Sequence, residues 1–308
     1  MSARRQRGMA VVLAILIVAL AAGTSAVMLS QQDLRARQVM ILGERAQAEA
    51  AARSGIEAMA HALAKNPGSA DVEDIRTAAA AVAARVSVGA VVLTITHDDP
   101  QGRFNLNNLV QGDRPSEPDV RAFQEMLALA KLSPELAAAV VDAIDTDSDP
   151  TYPGGAEDLD YLAMTPPSRA SNRPLVDPAH LVRIKGFDAR SVERLLPFLT
   201  ALPEPTSINL NSTPAEGLLA LVRGLDLAGA GRLIAAREKA PFTDLAGFRE
   251  QLPGGATLQP LVSVGTASRY VVVVSRARAG RAEAVYRALI GRKNAEKPGM
   301  IWRKQGDA

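Results

Sequence analysis

The first thirty residues divide into a short basic segment and a long apolar one. Residues 1–8 contain Arg4, Arg5 and Arg7 and no acid, and the 21 residues from 9 to 29 contain no charged side chain. At about 1.5 Å per residue, a helix of that length covers about 30 Å, the thickness of a bilayer core. Because basic residues precede the span and none follows it directly, we expect residues 1–8 on the cytoplasmic side and the rest outside.

Three interpretations of this beginning compete: a cleaved secretory signal, a plain single-span anchor and a prepilin-type leader. A signal peptidase has small residues available at 19–21 and 24–26. The apolar stretch nevertheless continues to residue 29 without a turn residue. Gly8 lies at the junction of the basic and apolar parts, where a prepilin peptidase would cut and leave Met9 as an N-methylated first residue.

The helical pattern continues beyond the apolar span. Asn66-Pro67-Gly68 is the first sequence signal for the end of this helix. A continuous helix from Met9 to Asn66 would be about 87 Å long. One half would lie in lipid and the other half would pack against a soluble head. The apolar positions with helical spacing in the second half are Leu34, Ile41, Ala48, Ala52, Ile56, Met59 and Leu63.

The rest of the chain predicts strands, then many helices, then strands. Arg85–His97 predicts one or two strands with a bend at Gly89. Ser268–Ala277 and Glu283–Gly291 predict a hairpin with Gly280 in its loop. This order indicates an α+β fold: a pilin-like long helix on a small antiparallel sheet that a large helical insertion interrupts. Within the helical region Pro118–Ile144, Ser133-Pro134-Glu135 is typical of a helix start, with an N-cap, a first-turn proline and a first-turn acid. The other predicted helices are Asp71–Ala84, Pro178–Val182, Ala189–Leu202, Pro214–Leu221, Ala228–Ala236 and Thr243–Gln251.

The same order divides the chain into a leader, a membrane-spanning part, a stem with the first strands, two helical subdomains and a C-terminal part of strands and tail. Asn105-Leu106-Asn107 recurs as Asn209-Leu210-Asn211. Because asparagine side chains bond to nearby backbone in turns, both tripeptides are expected to dock the start of a subdomain; a chance repeat is the alternative. The predicted segments are 1–8, 9–29, 30–104, 105–205, 206–262 and 263–308.

Composition excludes several kinds of site. The chain has no cysteine, which excludes disulfides, thiolate metal sites and a cysteine nucleophile. Its three histidines are far apart, so a histidine-rich metal centre is not expected. Without the first eight residues, 32 basic residues stand against 33 acidic ones, so the sequence pI of 9.0 does not indicate nucleic-acid binding. Nucleotide-loop, metalloprotease and serine-hydrolase motifs are absent, which argues against an enzyme.

Seven acids occur within nineteen residues, and no Lys or Arg lies between Lys131 and Arg169. Their mutual repulsion makes a compact fold costly without a cation, and the alternation of Asp145, Asp147 and Asp149 suits calcium. An EF-hand is excluded, since the sixth position from Asp145 is proline. A solvated acidic loop and a glycosidase-type acid pair are the alternatives. The acids are Asp142, Asp145, Asp147, Asp149, Glu157, Asp158 and Asp160.

Two stretches, 181–188 and 224–231, are similar to helix-hairpin-helix units. In DNA-binding hairpins, backbone N–H groups and a basic side chain bind phosphate. Here Asp188 and Asp226 lie near the tips, which favours protein packing. A membrane-anchored DNA-uptake receptor remains the alternative function.

Four motifs together resemble the K-type minor pseudopilins of bacterial type II secretion systems (general secretion pathway protein K). The likeness extends over nearly the whole chain. Most pilin-like proteins carry Glu at the fifth mature position, and Leu13 stands here instead, as is usual for the K type. The motifs are the leader Arg4–Gly8 before Met9–Leu29, Arg103–Asn107, Pro153–Asp158 and Ile208–Glu216.

The resemblance implies a non-enzymatic tip subunit of the pseudopilus that initiates or caps the fibre driving export of folded proteins. The implied partners are the I-type and J-type minor pseudopilins, the major pseudopilin, the inner-membrane assembly platform and the prepilin peptidase, with no nucleic acid. The implied location is the inner membrane, with one span and a periplasmic C-terminal domain. The implied insertion is SAM-like, and the implied calcium ligands are Asp145, Asp147, Asp149, Glu157 and Asp158.

Overall fold

The computed structural model describes residues 3–65, 86–260, 262–292 and 299–306. The helix predicted at Asp71–Ala84 lies outside these ranges. The α-helices are α1 (Ala3–Lys65), α2 (Glu117–Leu129), α3 (Leu136–Ile144), α4 (Asp158–Leu162), α5 (Ala189–Leu195), α6 (Ala215–Leu221), α7 (Leu227–Lys239) and α8 (Leu245–Glu250).

The strands form one five-stranded sheet and several two-stranded pairs. The strands are β1 (Val86–Val88), β2 (Val91–Asp98), β3 (Phe104–Asn105), β4 (Val110–Gln111), β5 (Arg114–Pro115), β6 (Leu199–Thr200), β7 (Ile208–Asn209), β8 (Val222–Arg223), β9 (Thr257–Leu258), β10 (Val264–Gly265), β11 (Tyr270–Ala279), β12 (Ala282–Gly291) and β13 (Gly299–Gly306). The order in the five-stranded sheet is β1-β2-β11-β12-β13, and all neighbouring strands in it are antiparallel.

The single long helix is confirmed, and it begins at Ala3, within the predicted leader. Its second half buries a stripe against the sheet because small and aliphatic side chains recur every three or four residues. At Gly55 a Cβ atom would clash with Ser275 Oγ, so glycine permits the closest approach of helix and sheet. The buried stripe consists of Ala48, Ala52, Ile56, Met59 and Leu63.

The sheet confirms the predicted interruption. β2 pairs directly with β11, although more than 160 residues separate Asp98 from its partner Val272 along the chain. The predicted bend at Gly89 and the hairpin loop at Gly280 are both present, and both glycines have positive φ. The sequence pattern did not predict β13, whose Trp302 packs on the outer face of the sheet.

The contacts of α1 show which end of the sheet lies nearer to the membrane-spanning part of the helix. Near the membrane-spanning part, the carboxylate of Glu44 accepts a bond from the backbone N–H of Arg281 in the hairpin loop. About 16 Å farther along the helix, Gly55 lies against Ser275, which is nearer to the Tyr270 end of β11. The insertion leaves the sheet after Asp98 and returns before Tyr270. It therefore lies at the end of the sheet that is distal to the apolar span.

The insertion consists of two helical units, and each is closed by a short parallel pair. β3 pairs with β6 in the first unit, and β7 pairs with β10 in the second. The helical region Pro118–Ile144 forms two helices, as the start signal at Ser133-Pro134-Glu135 indicates, and the chain turns between them at Lys131 with φ of 58°. One prediction of helix length was wrong. Ala189–Leu202 ends as an α-helix at Leu195, since the chain must turn to bring β6 beside β3.

Candidate metal centre

Asp142 holds the acidic loop closed. It lies in the last turn of α3 with no exposed surface, since the apolar α3 is buried along almost its whole length. Its carboxylate accepts bonds from the backbone N–H of Thr151 at 3.1 Å and of Ala156 at 2.8 Å. This carboxylate is therefore satisfied by the loop itself and has a positioning role.

Three other carboxylates converge where α3 ends and α4 begins. Asp145 caps the C-terminus of α3, and Glu157 directly precedes α4. One carboxylate oxygen each from Asp145, Asp147 and Glu157 lies within 4.8 Å of the others. Asp145 and Glu157 are buried, whereas Asp147 is exposed at the mouth of the cluster. We refer to these three residues as the carboxylate cluster.

The buried oxygens of this cluster lack partners. Asp145 Oδ1 and both Glu157 carboxylate oxygens are buried and accept no hydrogen bond of good geometry from the described residues, although the side-chain amide of Asn172 and the backbone N–H of Asp160 lie close to Glu157. A buried carboxylate without a partner is costly, because it loses water and gains nothing in exchange. The arrangement is therefore unfavourable unless a proton or a cation compensates the charge.

The pKa shifts of these carboxyl groups also show that the site lacks a compensating positive charge. Burial, together with the charges of Asp147, Asp142 and Glu157, raises the pKa of Asp145 to about 7. Burial and the charge of Asp142 also raise the pKa of Glu157, and the side-chain amide of Asn172 partly offsets this effect. Both shifts mean that the site favours neutralisation of its carboxylates.

The oxygen-only donor set fits a hard cation, and calcium in particular. The side chain of Asn172 lies beside this donor set, and its buried Oδ1 accepts no hydrogen bond within the described part of the chain. The Asn172 amide nitrogen donates to the backbone oxygen of Asp147 at 2.6 Å, which positions it beside the cluster. Sequence spacing gave no signal for this residue, because it lies outside the acidic stretch.

Two of the five predicted ligands are not brought into the cluster. Asp158 forms an ion pair with Arg169 at 3.0 Å and accepts the backbone N–H of Ala170 at 3.0 Å. Asp149 lies outside the group of converging oxygens, and its backbone N–H donates to Asp147 Oδ1 at 2.9 Å. The structure thus unites Asp145, Asp147 and Glu157 alone of the predicted set.

The repeated asparagine tripeptides form two equivalent clasps, which confirms the prediction of docking turns. In the first clasp, Asn107 Nδ2 donates to the backbone oxygens of Leu175 at 2.8 Å and Leu202 at 2.7 Å, and Asn107 Oδ1 accepts the N–H of Leu175. In the second, Asn211 Nδ2 donates to the backbone oxygens of Phe242 and Thr266, both at 2.9 Å. Each clasp ties the start of a unit to its middle and its end.

In both helix-hairpin-helix-like stretches, an aspartate side chain caps the N-terminus of the helix that follows. Asp188 accepts the backbone N–H of Ser191 at the start of α5, and Asp226 accepts that of Gly229 at the start of α7, both at 2.7 Å. In a phosphate-binding hairpin, these N–H groups would face the ligand. The aspartate caps place negative charge there instead, so the geometry favours packing within the protein.

Family models for the type II secretion system protein K match residues 102–204 and 208–268, which together are just over half of the chain. The chain belongs to this family. A protein of this name from Pseudomonas aeruginosa is 33% identical over 192 residues, covering 61% of this chain and 57% of the relative. One from Klebsiella pneumoniae is 33% identical over 179 residues, covering 54% of each. The chain thus spans little more than half of the length of these relatives.

A solved structure gives the same fold. The crystal structure of the GspK-GspI-GspJ complex from enterotoxigenic Escherichia coli contains a chain that matches with a TM-score of 0.68 and 22% identity, over 89% of this chain and all of that one. The predicted α+β class, with its long N-terminal helix, is therefore confirmed. In the described residues, α1 is the one helix with a span long and apolar enough to cross a membrane, with a mean hydropathy of 2.6.

Proposed function

We propose that this protein is a minor pseudopilin at the tip of a type II secretion pseudopilus, where it helps to initiate or cap the fibre. The observation that carries the proposal is the position of the helical insertion, at the end of the sheet farthest from the apolar span. A subunit within the shaft needs that end free for the next subunit. Here the two helical units occupy it, which suits a terminal position.

The stem supports association with the stems of other pilin-like subunits, for which we propose the I-type and J-type minor pseudopilins. Val39, Met40, Ile41 and Leu42 are between 58% and 70% exposed. Four consecutive helical residues cover the whole circumference of a helix. Their position about 15 Å beyond residue 29 places them outside the bilayer core, so neighbouring helices are the surfaces that would cover them.

We further propose a single span in the inner membrane, a periplasmic head, and cleavage between Gly8 and Met9 by the prepilin peptidase with N-methylation of Met9. The charge-free stretch that follows three arginines supports this orientation. The major pseudopilin and the inner-membrane assembly platform would be the further partners. Intact mass and N-terminal sequencing of membrane-extracted protein test the processing: a start at Met1 or beyond Leu20 would contradict it.

The proposed role is structural rather than enzymatic, and calcium would serve as a structural ion. Asp145, Asp147 and Glu157 would hold it, with Asn172 as a further oxygen donor. When bound, the ion would supply the positive charge that the buried carboxylate oxygens lack. The cluster then joins the end of α3 to the start of α4 and fixes the intervening loop.

Deletion of the chain tests the proposal. We expect loss of secretion of a reporter exoprotein and failure of pseudopilus initiation, with both restored by the wild-type chain. The absence of cysteine permits a second test, since a single Val39→Cys should form disulfide cross-links with cysteines placed on partner stems. Leu129→Cys, on the exposed surface of the head, is the matched control. Normal secretion without the chain would overturn the proposal.

A further inference from the structure

A cleft opens beside the carboxylate cluster on the first helical unit. One wall is the irregular segment from residue 168 to 176, and the other is the 3-10 helix Pro178–Arg183. The cleft encloses about 720 Å³. Its floor is formed by the buried side chains of Tyr161, Leu175 and Ile184. The floor can therefore accept an apolar side chain.

The rim of this cleft is cationic, although the unit around it is acidic. Residues 105–205 contain 16 acidic and nine basic side chains, and three of those nine, Arg169, Arg173 and Arg183, line the cleft. His180 lies on the same rim. Arg169 pairs with Asp158, whereas Arg173 and Arg183 form no ion pair with any residue that the structure describes. Two guanidinium groups at the rim are thus available to an anionic ligand.

The backbone of the wall favours a polypeptide. The N–H groups of Ser168 and Ala170 donate to Tyr161 and Asp158 of the same unit. Those of Arg169 and Ser171 donate to no acceptor within the described part of the chain, and the segment pairs with no strand there. A bound chain segment can use such free donors in addition to side-chain contacts.

The wall is attached to the acidic loop. Ser171 Oγ donates to the backbone oxygen of Ala143 at 2.6 Å, and the N–H of Arg173 donates to the same oxygen at 3.3 Å. Between them, the Asn172 amide donates to the backbone oxygen of Asp147. The position of Arg173 therefore depends on the conformation of the loop that carries the carboxylate cluster.

We propose that this cleft binds an acidic polypeptide segment of another protein, with an apolar side chain on the floor and flanking carboxylates on Arg173 and Arg183. The dependence of this peptide binding on calcium rests on the proposed metal site, whereas the binding itself does not. Neither feature requires the proposed role in secretion.

Fluorescence anisotropy with the full-length protein in detergent and calcium tests the proposal. The probe is a fluorescein-labelled peptide of alternating Glu and Leu, and the control peptide has Gln in place of Glu. We expect the acidic peptide to bind at least tenfold more tightly than the control. Arg173→Glu combined with Arg183→Glu should weaken binding by about tenfold, since two ion pairs are reversed. Arg232→Glu with Arg249→Glu makes the same charge change on the second unit and should have no effect.

Equal binding of the two peptides, or equal losses in the two double variants, would overturn the proposal. So would a single-stranded DNA oligonucleotide that displaces the acidic peptide better than unlabelled peptide does. Unchanged thermal melting of the charge variants shows that they fold. Glu157→Gln tests the coupling separately, and we expect weaker peptide binding that calcium no longer affects. Because the assay measures binding alone, its result is independent of any secretion defect.

Discussion

The two helical units of the insertion are closed in the same way but differ in what they enclose. Each begins with Asn-Leu-Asn, and each uses the second asparagine to bind backbone atoms from the middle and the end of the unit. The second unit fills its interior with apolar contacts such as the edge-to-face pair of Phe242 and Phe248. The first contains buried carboxylate oxygens without partners.

The difference separates two uses of buried polar groups. In the clasps, every amide atom that closes the unit has a backbone partner, so the network specifies the fold without help from a ligand. In the carboxylate cluster, the protein leaves oxygens unpaired, so the conformation depends on something outside the chain. We infer that the clasps form without a ligand, whereas the conformation of the acidic loop depends on a bound cation or proton.

Loss of the first clasp should reduce stability more than any other change considered below. Asn107→Ala removes three hydrogen bonds and leaves buried backbone groups of Leu175 and Leu202 unsatisfied, which should lower the free energy of unfolding by about 3–4 kcal/mol. Asn211→Ala should lower it by only about 1–2 kcal/mol, because its site is partly accessible to water. Urea unfolding with hydrogen exchange of each unit measures both losses. Equal losses would mean that the clasps are equally buried in solution.

Removal of calcium should destabilise the first unit alone. At a calcium concentration of about 100 times Kd, a bound ion would add about 2.7 kcal/mol to the stability of the folded state, and a chelator would remove this contribution. Glu157→Gln should abolish this calcium dependence, and Glu250→Gln, on the exposed surface of α8, should leave it unchanged. Thermal unfolding with and without calcium gives the comparison. A calcium response of Glu157→Gln equal to that of the wild type would exclude the carboxylate cluster as the site.

The pH dependence of stability should change direction with calcium. Without the ion, the pKa of Asp145 is raised from 3.8 to about 7 in the folded state, so the folded state binds the proton more tightly than the unfolded one. In metal-free protein, the contribution of Asp145 to stability should therefore increase as the pH falls from about 7 towards 4. With calcium, protonation competes with the ion, and stability should fall over the same range. Chemical unfolding at a series of pH values, with calcium and with chelator, measures both curves.

The smallest effect is expected for Asp158, a predicted ligand whose side chain lies outside the carboxylate cluster. Asp158→Asn breaks an ion pair with Arg169 that is largely exposed, which should change stability by less than about 1 kcal/mol. Its calcium affinity should match that of the wild type, whereas Asp147→Asn should bind calcium more weakly. Calorimetric titration of the two variants distinguishes them, and a large loss for Asp158→Asn would place that side chain among the ligands.

Elements whose signals are local could be predicted from the order of residues alone. The stem follows from an uninterrupted helical pattern, and the hairpin follows from alternating apolar residues around Gly280, because the periodicity of side chains fixes which face is buried. The interruption of the sheet also followed from the order of elements. The strand β13 escaped prediction, since an edge strand carrying Arg303 and Lys304 has little apolar alternation.

The polar groups that meet in the site could not be predicted in this way, because long-range packing brings them together. The family resemblance selected five candidates from the seven acids of this stretch, and the fold united Asp145, Asp147 and Glu157 because α3 ends and α4 begins at the same place. It turned Asp158 towards Arg169, and it brought Asn172 to the cluster from outside the acidic stretch. Such choices depend on contacts between residues that are far apart along the chain. Composition and spacing give the kind of chemistry, and long-range packing selects the atoms that perform it.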